Sequence, residues 1–482
     1  MISAAPRQTV DLQSELDRVL AVQRAAFEAE PYPSAAVRKD RLRRALAGLL
    51  RYEKKIIAAI DADFGHRAEQ TTLLADLLVP VRSLRHALGH LDRWMKPERR
   101  ASDFPLGLIG ARSYVFHQPL GVVGIVSPWN SPLCLVYTPL AGVLAAGNRA
   151  LVKPSEFMPA TSALLAEIVA DTFAQEEVHV VEGGVEVATR FAALPFDHLI
   201  FTGSTRTAKS VLRAAAENLT PVTLELGGKA PVIVARGSDL EYAAAKVVGI
   251  KLTNAGQVCM GPDHVLVHRD DLVNFIDVVR RMVRRTFPDY ARSADITCVP
   301  LAHRRQRLAA LVQDAVDRGL EVIVTDDTPV ADLASRERFP IVLIVDPPED
   351  AEVMCEEIFG PILPVLAYDT LEAAVQRIRR NRAHPLALYH LGGTVAERDF
   401  VLRNTHSGGV TFDDVMLHPL MQDLPFGGVG ESGMGRYMGR AGFLAVSNPR
   451  AVVHRPWIDV SKYLHPPYSP ALSRLLRWAL RA

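Results

Sequence analysis

Cys259 stands in the stretch Asn254-Ala255-Gly256-Gln257-Val258-Cys259-Met260-Gly261-Pro262. Polar, flexible residues precede it, and Gly-Pro follows, a pair that ends regular structure. A thiol so placed is held out in a turn where a second molecule can reach it. Two other polar residues stand at the ends of apolar runs. Asn130 follows the run from Gly121 to Trp129, and Glu225 lies in Thr-Leu-Glu-Leu just ahead of Gly227-Gly228. A thiolate attacks a carbonyl carbon, such as an aldehyde's, and makes a tetrahedral oxyanion. An amide N–H stabilises that oxyanion without supplying a proton. A carboxylate activates a thiol or a water. Each residue alone also has a structural reading. Asn130 can be a turn residue before a helix begun by Ser131-Pro132, Glu225 a solvated strand end, and Cys259 a small hydrophobe.

To act together these residues need elements that bring distant stretches to one place. Residues 35–95 carry helical periodicity, with Leu42, Ala45, Leu46, Leu49 and Leu50 on one stripe. Apolar runs at 121–127, 178–181, 197–201 and 222–226 predict strands, with helices over 132–146, 159–174 and 204–217. After Gly227-Gly228 the pattern restarts, with strands near 231–235, 264–267, 321–325, 341–345, 362–367 and 386–391. Leu308, Leu311, Val312, Ala315 and Val316 mark a helix ended by Gly319. Alternating strand and helix predicts parallel sheets covered on both faces, in two α/β domains with a cleft between them. Ligands of such sheets gather at the carboxyl ends of strands, where Asn130 and Glu225 fall. Lys153 and Glu156 follow a further short strand. The strand-to-helix turn at Gly203-Ser204-Thr205 suits a pyrophosphate, since helix-start N–H groups and a glycine let the backbone approach it.

Bulk composition bounds the partners. The 482 residues, at roughly 150 per domain, suggest two to four domains. Lys+Arg 55 against Asp+Glu 54 leaves a net charge of +1, with no global excess pointing to nucleic acid or an anionic membrane. Cys134, Cys259, Cys298 and Cys355 are few and far apart, which argues against a disulfide framework and for a reducing, cytoplasmic setting. The N-terminus lacks an apolar signal core. Gln118 to Asn148 carries no charge and is long enough to raise a membrane span. Pro119, Pro128, Pro132 and Pro139 make one continuous helix there improbable, so a strand, a turn and a helix are expected instead.

Seven stretches together carry a resemblance: PLGVVGIVSPWNSPL, LAAGNRALVKPSE, FTGSTRTAK, TPVTLELGGKAPVIV, NAGQVCMGPDHVLV, EEIFGPILPV and LPFGGVGESGMG. In this order and spacing the chain resembles the aldehyde dehydrogenase superfamily over nearly its whole length. DADFGHRAEQTTLLAD, HLDRWMKP and AENLTPVTLELGGK resemble its coniferyl aldehyde dehydrogenase branch. The resemblance implies an α/β fold. A Rossmann-type cofactor domain would take residues 1–100 and 120–226, and a catalytic domain 227–446. A β oligomerisation arm and C-terminal tail would take 101–119 and 447–482. It implies Cys259 as nucleophile, Glu225 as general base and Asn130 as oxyanion amide. Lys153 and Glu156 would meet the adenosine ribose, Gly203 and Ser204 the pyrophosphate, and Glu357 and Phe359 the nicotinamide ribose, with Trp129 also at the cofactor. It implies oxidation of an aromatic or apolar aldehyde to the acid through a thiohemiacetal and a thioester, in a homodimer. NAD is expected ahead of NADP, because Glu156 repels a 2′-phosphate. Two rival readings are transfer of the acyl group to coenzyme A, which a water-activating Glu225 opposes, and an inactive structural or binding homologue.

Some features invite other readings. Gly428-Val-Gly-Glu-Ser-Gly433 fits Gly-x-Gly-x-x-Gly but follows no credible strand, so a glycine-rich loop is expected. His86 and His90 have metal-ligand spacing but no evident third ligand, and no metal is expected. Glu356 and Glu357 are adjacent and, in an extended segment, point oppositely. Ala208 stands where the family usually has glycine, which bears on cofactor pose, while His264 and Asp413 stand where relatives commonly carry Tyr and Asn. Ser469-Pro470 opens a short amphipathic helix with Arg474, Arg477 and Arg481, expected to dock on its own subunit or a partner subunit, with a membrane surface as the alternative.

Overall fold

A computed structural model describes residues 12–104, 106–380, 384–459 and 465–481. Most of the N-terminal stretch read for a targeting signal lies outside the described residues. The strands, in chain order, are β1 (Glu98–Arg100), β2 (Arg112–Pro119), β3 (Val122–Val126), β4 (Arg149–Lys153), β5 (Val178–Val180), β6 (His198–Gly203), β7 (Val222–Leu226) and β8 (Pro231–Val234). They continue as β9 (His264–His268), β10 (Val322–Val324), β11 (Val342–Val345), β12 (Ile362–Tyr368), β13 (Ala387–Leu391), β14 (Gly409–Phe412), β15 (Gly433–Met434) and β16 (Ser447–His454).

They form three sheets. The first has the order β15-β7-β6-β3-β4-β5, the second β10-β11-β12-β9-β8-β13-β14, and the third β1-β2-β16. Successive residues of each central strand enter opposite cores, as parallel strands covered on both faces require. Val123 and Ile125 of β3 pack into one cluster with the helix Ala35–Arg51, while Val122 packs into another with Leu16 and Phe191. In the second sheet Val232 and Val234 face one core and Ile233 the other. Two edges depart from the expected parallel arrangement, since β10 runs antiparallel to β11 and β15 antiparallel to β7.

The region 35–95 divides into helices Ala35–Arg51, Glu53–Phe64 and Val79–Trp94, with a π-helical turn at Leu73–Leu78. The helix Leu12–Ala29 and strands β14 and β15 were not expected from the sequence. The charge-free stretch from Gln118 to Asn148 divides into the end of β2, then β3, a turn that holds Pro128 and Pro132, and the helix Cys134–Ala146, which carries Pro139 inside it. Among the described residues no helix is long and apolar enough to cross a membrane. One boundary differs from the sequence reading, which ran the second domain to residue 446. After β14 the chain returns to the first sheet, where Gly433 pairs with Glu225 and Phe443 enters the core of β3. Short glycine-rich segments carry no periodicity that assigns them to a sheet, so this return is invisible in the sequence.

Candidate active site

The first sheet supplies a platform. Its strands β7, β6, β3 and β4 lie side by side and parallel. At or just beyond their carboxyl ends stand Glu225, Gly203 with Ser204, Trp129 with Asn130, and Lys153 with Glu156. The chain leaves β3 towards β4 on one side and later returns to place β6 on the other. The crevice between β3 and β6 is therefore a topological switch point.

The helix Cys134–Ala146, which follows Asn130, is pinned at both ends by buried charge. Asp76 accepts the N–H groups of Leu133 and Cys134, each at 3.1 Å. Arg67 pairs with Asp76 at 2.8 Å, with both side chains fully buried. At the other end Arg38 donates to the carbonyls of Ala145 at 3.2 Å and Ala146 at 2.7 Å. An acid at the amino end and a cation at the carboxyl end both favour the helix dipole. None of the three was assigned a role from the sequence, although Arg67 and Asp76 lie in a stretch noted there only for resemblance.

The Cys259 loop is held by unusual backbone. Asn254, Ala255 and Gly256 have φ of 51°, 51° and 67° in succession. Left-handed conformation at a non-glycine residue costs roughly 1–2 kcal/mol, so two in a row must be held by surrounding bonds. Asn254 Nδ2 donates to the carbonyls of Asn130 at 3.0 Å and Gln257 at 3.2 Å. Gln257 Nε2 donates to the carbonyls of Asn254 at 2.9 Å and Cys298 at 3.2 Å. Asn130 Nδ2 donates to the Gln257 carbonyl at 3.1 Å, which brings its amide two residues from Cys259. Asn254 and Gln257 are polar loop residues in sequence, and only this network shows their part.

Cys259 is partly open to solvent, whereas Glu225 is only 2% exposed. Both Glu225 carboxyl oxygens are buried without a hydrogen-bond partner. Burial pushes the Glu225 carboxyl well above its usual range, against a smaller pull from Arg436. Burial, with the charges of Glu357 and Glu225, pushes the Cys259 thiol up to about 12. Burial pushes Glu357 up to about 8, and a hydrogen bond from the Gly228 backbone opposes it. Burial is thus the main cause at all three groups, and both carboxyls act on the Cys259 thiol.

A buried clamp holds the loop that bears Glu357 and Phe359. Lys229 pairs with Asp263 and donates to the carbonyls of Val353 at 2.8 Å and Glu356 at 3.1 Å. Asp263 also accepts the Ile358 N–H at 2.9 Å. Phe359, with φ of 50°, sets its ring edge-on to Trp129 at 5.7 Å. Gly227 makes room for Glu357, because a Cβ there would lie 2.1 Å from its carboxyl oxygen.

Lys153 is buried and pairs with Glu156 at 2.8 Å. Ser204 caps the helix Thr205–Ala216, accepting the Thr207 N–H. At Gly203 a Cβ would meet the Phe201 ring at 2.6 Å. A capped helix start at the switch point, beside a residue without a side chain, fits a dinucleotide's phosphates. Ala208 does not intrude on this turn, because it is buried in the cluster with Phe201, Val211 and Leu224.

Phe426, Tyr437, Met438 and Leu386 form an apolar cluster against which Cys259 and Met260 pack. His264 is buried, with Nδ1 3.6 Å from Asp263. Asp413 lies at the end of β14, accepting the Gly392 N–H and pairing with Arg398 at 2.8 Å. The Gly428–Gly433 segment is a loop with a short 3₁₀ turn, Gly430–Ser432. The rings of His86 and His90 stack at 4.1 Å, and among the described residues no three His, Cys, Asp or Glu side chains cluster as metal ligands would.

Residues 7–452 match the aldehyde dehydrogenase family. A coniferyl aldehyde dehydrogenase of Pseudomonas sp. strain HR199 is 43% identical over 478 residues, 98% of this chain and 97% of that protein. The substrate-bound state of Staphylococcus aureus AldH superposes with a TM-score of 0.89 at 31% identity, covering 96% of this chain and 99% of that one. A betaine aldehyde dehydrogenase of Staphylococcus aureus in complex with NAD+ shares the fold, with a TM-score of 0.81 at 23% identity over 94% and 91% of the two chains.

Proposed function

The chain belongs to the aldehyde dehydrogenase family, and from that premise we propose that it oxidises an aromatic or apolar aldehyde to the carboxylic acid, with NAD as the hydride acceptor. The reading rests on one observation. The Asn130 amide is bonded to the Gln257 carbonyl, two residues before the Cys259 thiol. Cys259, once its proton is lost, bonds to the aldehyde carbon. The remaining N–H of the Asn130 amide and the backbone N–H of Cys259 donate to the oxyanion. NAD, when bound, supplies the acceptor for the aldehyde hydrogen. Cys259 then carries the acyl group as a thioester. Glu225 draws a proton from water, which opens the thioester to the acid.

Lys153 and Glu156 would hold the adenosine ribose, the Gly203-Ser204 turn the pyrophosphate, and Glu357 and Phe359, beside Trp129, the nicotinamide ribose. The Glu156 carboxylate disfavours a 2′-phosphate, which supports NAD over NADP. The apolar wall of Phe426 and Tyr437 suits an aromatic aldehyde, in keeping with the name of the Pseudomonas relative. Four cysteines without disulfides suit a reducing compartment such as the cytoplasm. The arm of β1, β2 and β16, with Val453 exposed on β16, suits pairing with a second copy as a homodimer.

An aldehyde panel followed by NADH absorbance and product analysis tests the reaction. NADH and free acid are expected with coniferyl-type aldehydes, whether or not coenzyme A is added. No NADH with any aldehyde, or acyl-coenzyme A as the product, would overturn it.

A further inference from the structure

The helix Pro470–Ala479 is well formed, yet among the described residues it buries none against its own subunit. Ser469 caps it by accepting the Leu472 N–H at 3.2 Å. Helical spacing puts Leu472, Leu475, Leu476 and Ala479 on one face. Arg474, Arg477 and Arg481 fall on the opposite face, with Trp478 and Leu480 at the two borders. The apolar side is open to solvent, with Leu475 58%, Trp478 63% and Leu480 86% exposed. Among the described residues none of the three arginines has an ion-pair partner, and no Asp or Glu follows Asp459 in the sequence.

We propose that this helix docks the protein on an anionic phospholipid surface. The segment is too short to span a bilayer, but its layout suits lying in the interface plane. Leucines would enter the acyl boundary, and Trp478 would sit at headgroup level, where an indole's apolar body and N–H are both accommodated. Lipid phosphates would supply the negative charge that this part of the chain lacks. The sequence reading favoured docking on the chain's own subunit or a partner subunit. Among the described residues the helix buries no side chain against its own subunit, and only Leu472 is half-buried. A second copy would have to cover the leucines, whereas a bilayer covers them and also matches three arginines. One short helix anchors weakly, so the contact is reversible and salt-sensitive.

The inference does not depend on the reaction and is tested without it. The full chain is sedimented with vesicles of phosphatidylcholine alone and with vesicles in which about a third of the lipid is phosphatidylglycerol. At low salt the anionic vesicles are expected to retain roughly tenfold more protein, and salt should erase the difference. Deleting residues 469–482 should abolish binding. So should the combined change Leu475→Ser, Leu476→Ser and Trp478→Ser, which carries the test if the deletion fails to fold. Changing Arg474, Arg477 and Arg481 to Gln should remove the preference for anionic lipid. Equal sedimentation of the full and deleted chains would overturn the proposal. Absent vesicle binding, with a loss of subunit association on deletion, would overturn it in favour of a second copy.

Discussion

Burial raises the Glu225 carboxyl above its usual range and the Cys259 thiol to about 12, and both must lose a proton to do the chemistry proposed for them. The acylation and hydrolysis steps should therefore speed up as pH rises. kcat/KM is expected to climb steadily between about pH 6 and pH 9, and a profile already flat below about pH 7 would contradict these environments. Cys259→Ala should lower turnover by on the order of 10³-fold or more while NADH binding, read by fluorescence, stays within a few-fold. Glu225→Gln should give one burst of NADH and then a slow steady rate, because acylation survives and hydrolysis does not. The same carboxyl bears on stability. The folded chain keeps a proton that the unfolded chain releases above about pH 4.5, so this group's contribution to stability falls as pH rises past that value. The melting temperature of Glu225→Gln, relative to the parent, should accordingly increase as pH rises above about 5. The sequence singles out Cys259 at this scale because a thiol beside Gly-Pro suits neither a helix nor a strand interior. It does not single out Asn254 and Gln257, because a polar loop residue reveals nothing until its partners are known.

The segment from Val353 to Phe359, a helix end and the loop after it, shows what an element needs in order to present side chains. Lys229 and Asp263 hold it through three backbone groups, and both are almost fully buried. Removing one charge of a buried pair leaves the other uncompensated, at a cost of about 3–5 kcal/mol. Asp263→Asn should lower stability by that order in denaturant unfolding. It should also raise KM for NAD more than it lowers kcat, since Glu357 and Phe359 lose their support. Gly227→Ala probes the same loop from the other side. A methyl there displaces the Glu357 carboxyl, so weakened NADH binding is expected with near-normal thermal stability. The strands of this region were readable from runs of apolar residues, whereas the clamp was not. Lys229 and Asp263 are far apart in sequence, and a lysine or aspartate on its own reads as solvated surface.

At the scale of the whole molecule, light scattering should read twice the chain mass, and removal of residues 447–482, which takes away β16, should leave a single-chain mass. An intact dimer after that removal would move the interface elsewhere. The sequence by itself determined the alternation of strand and helix, the proline-broken path from Gln118 to Asn148, and the residue types suited to the chemistry, because periodicity and backbone-restricting residues act locally. Only the tertiary structure decided that β15 returns beside Glu225, that buried Asp76 and Arg38 grip the two ends of one helix, and that the C-terminal helix leaves Leu475, Leu476 and Leu480 exposed. Each of these depends on which distant groups share a low-dielectric space or a hydrogen bond, and such pairings leave no local pattern in the chain.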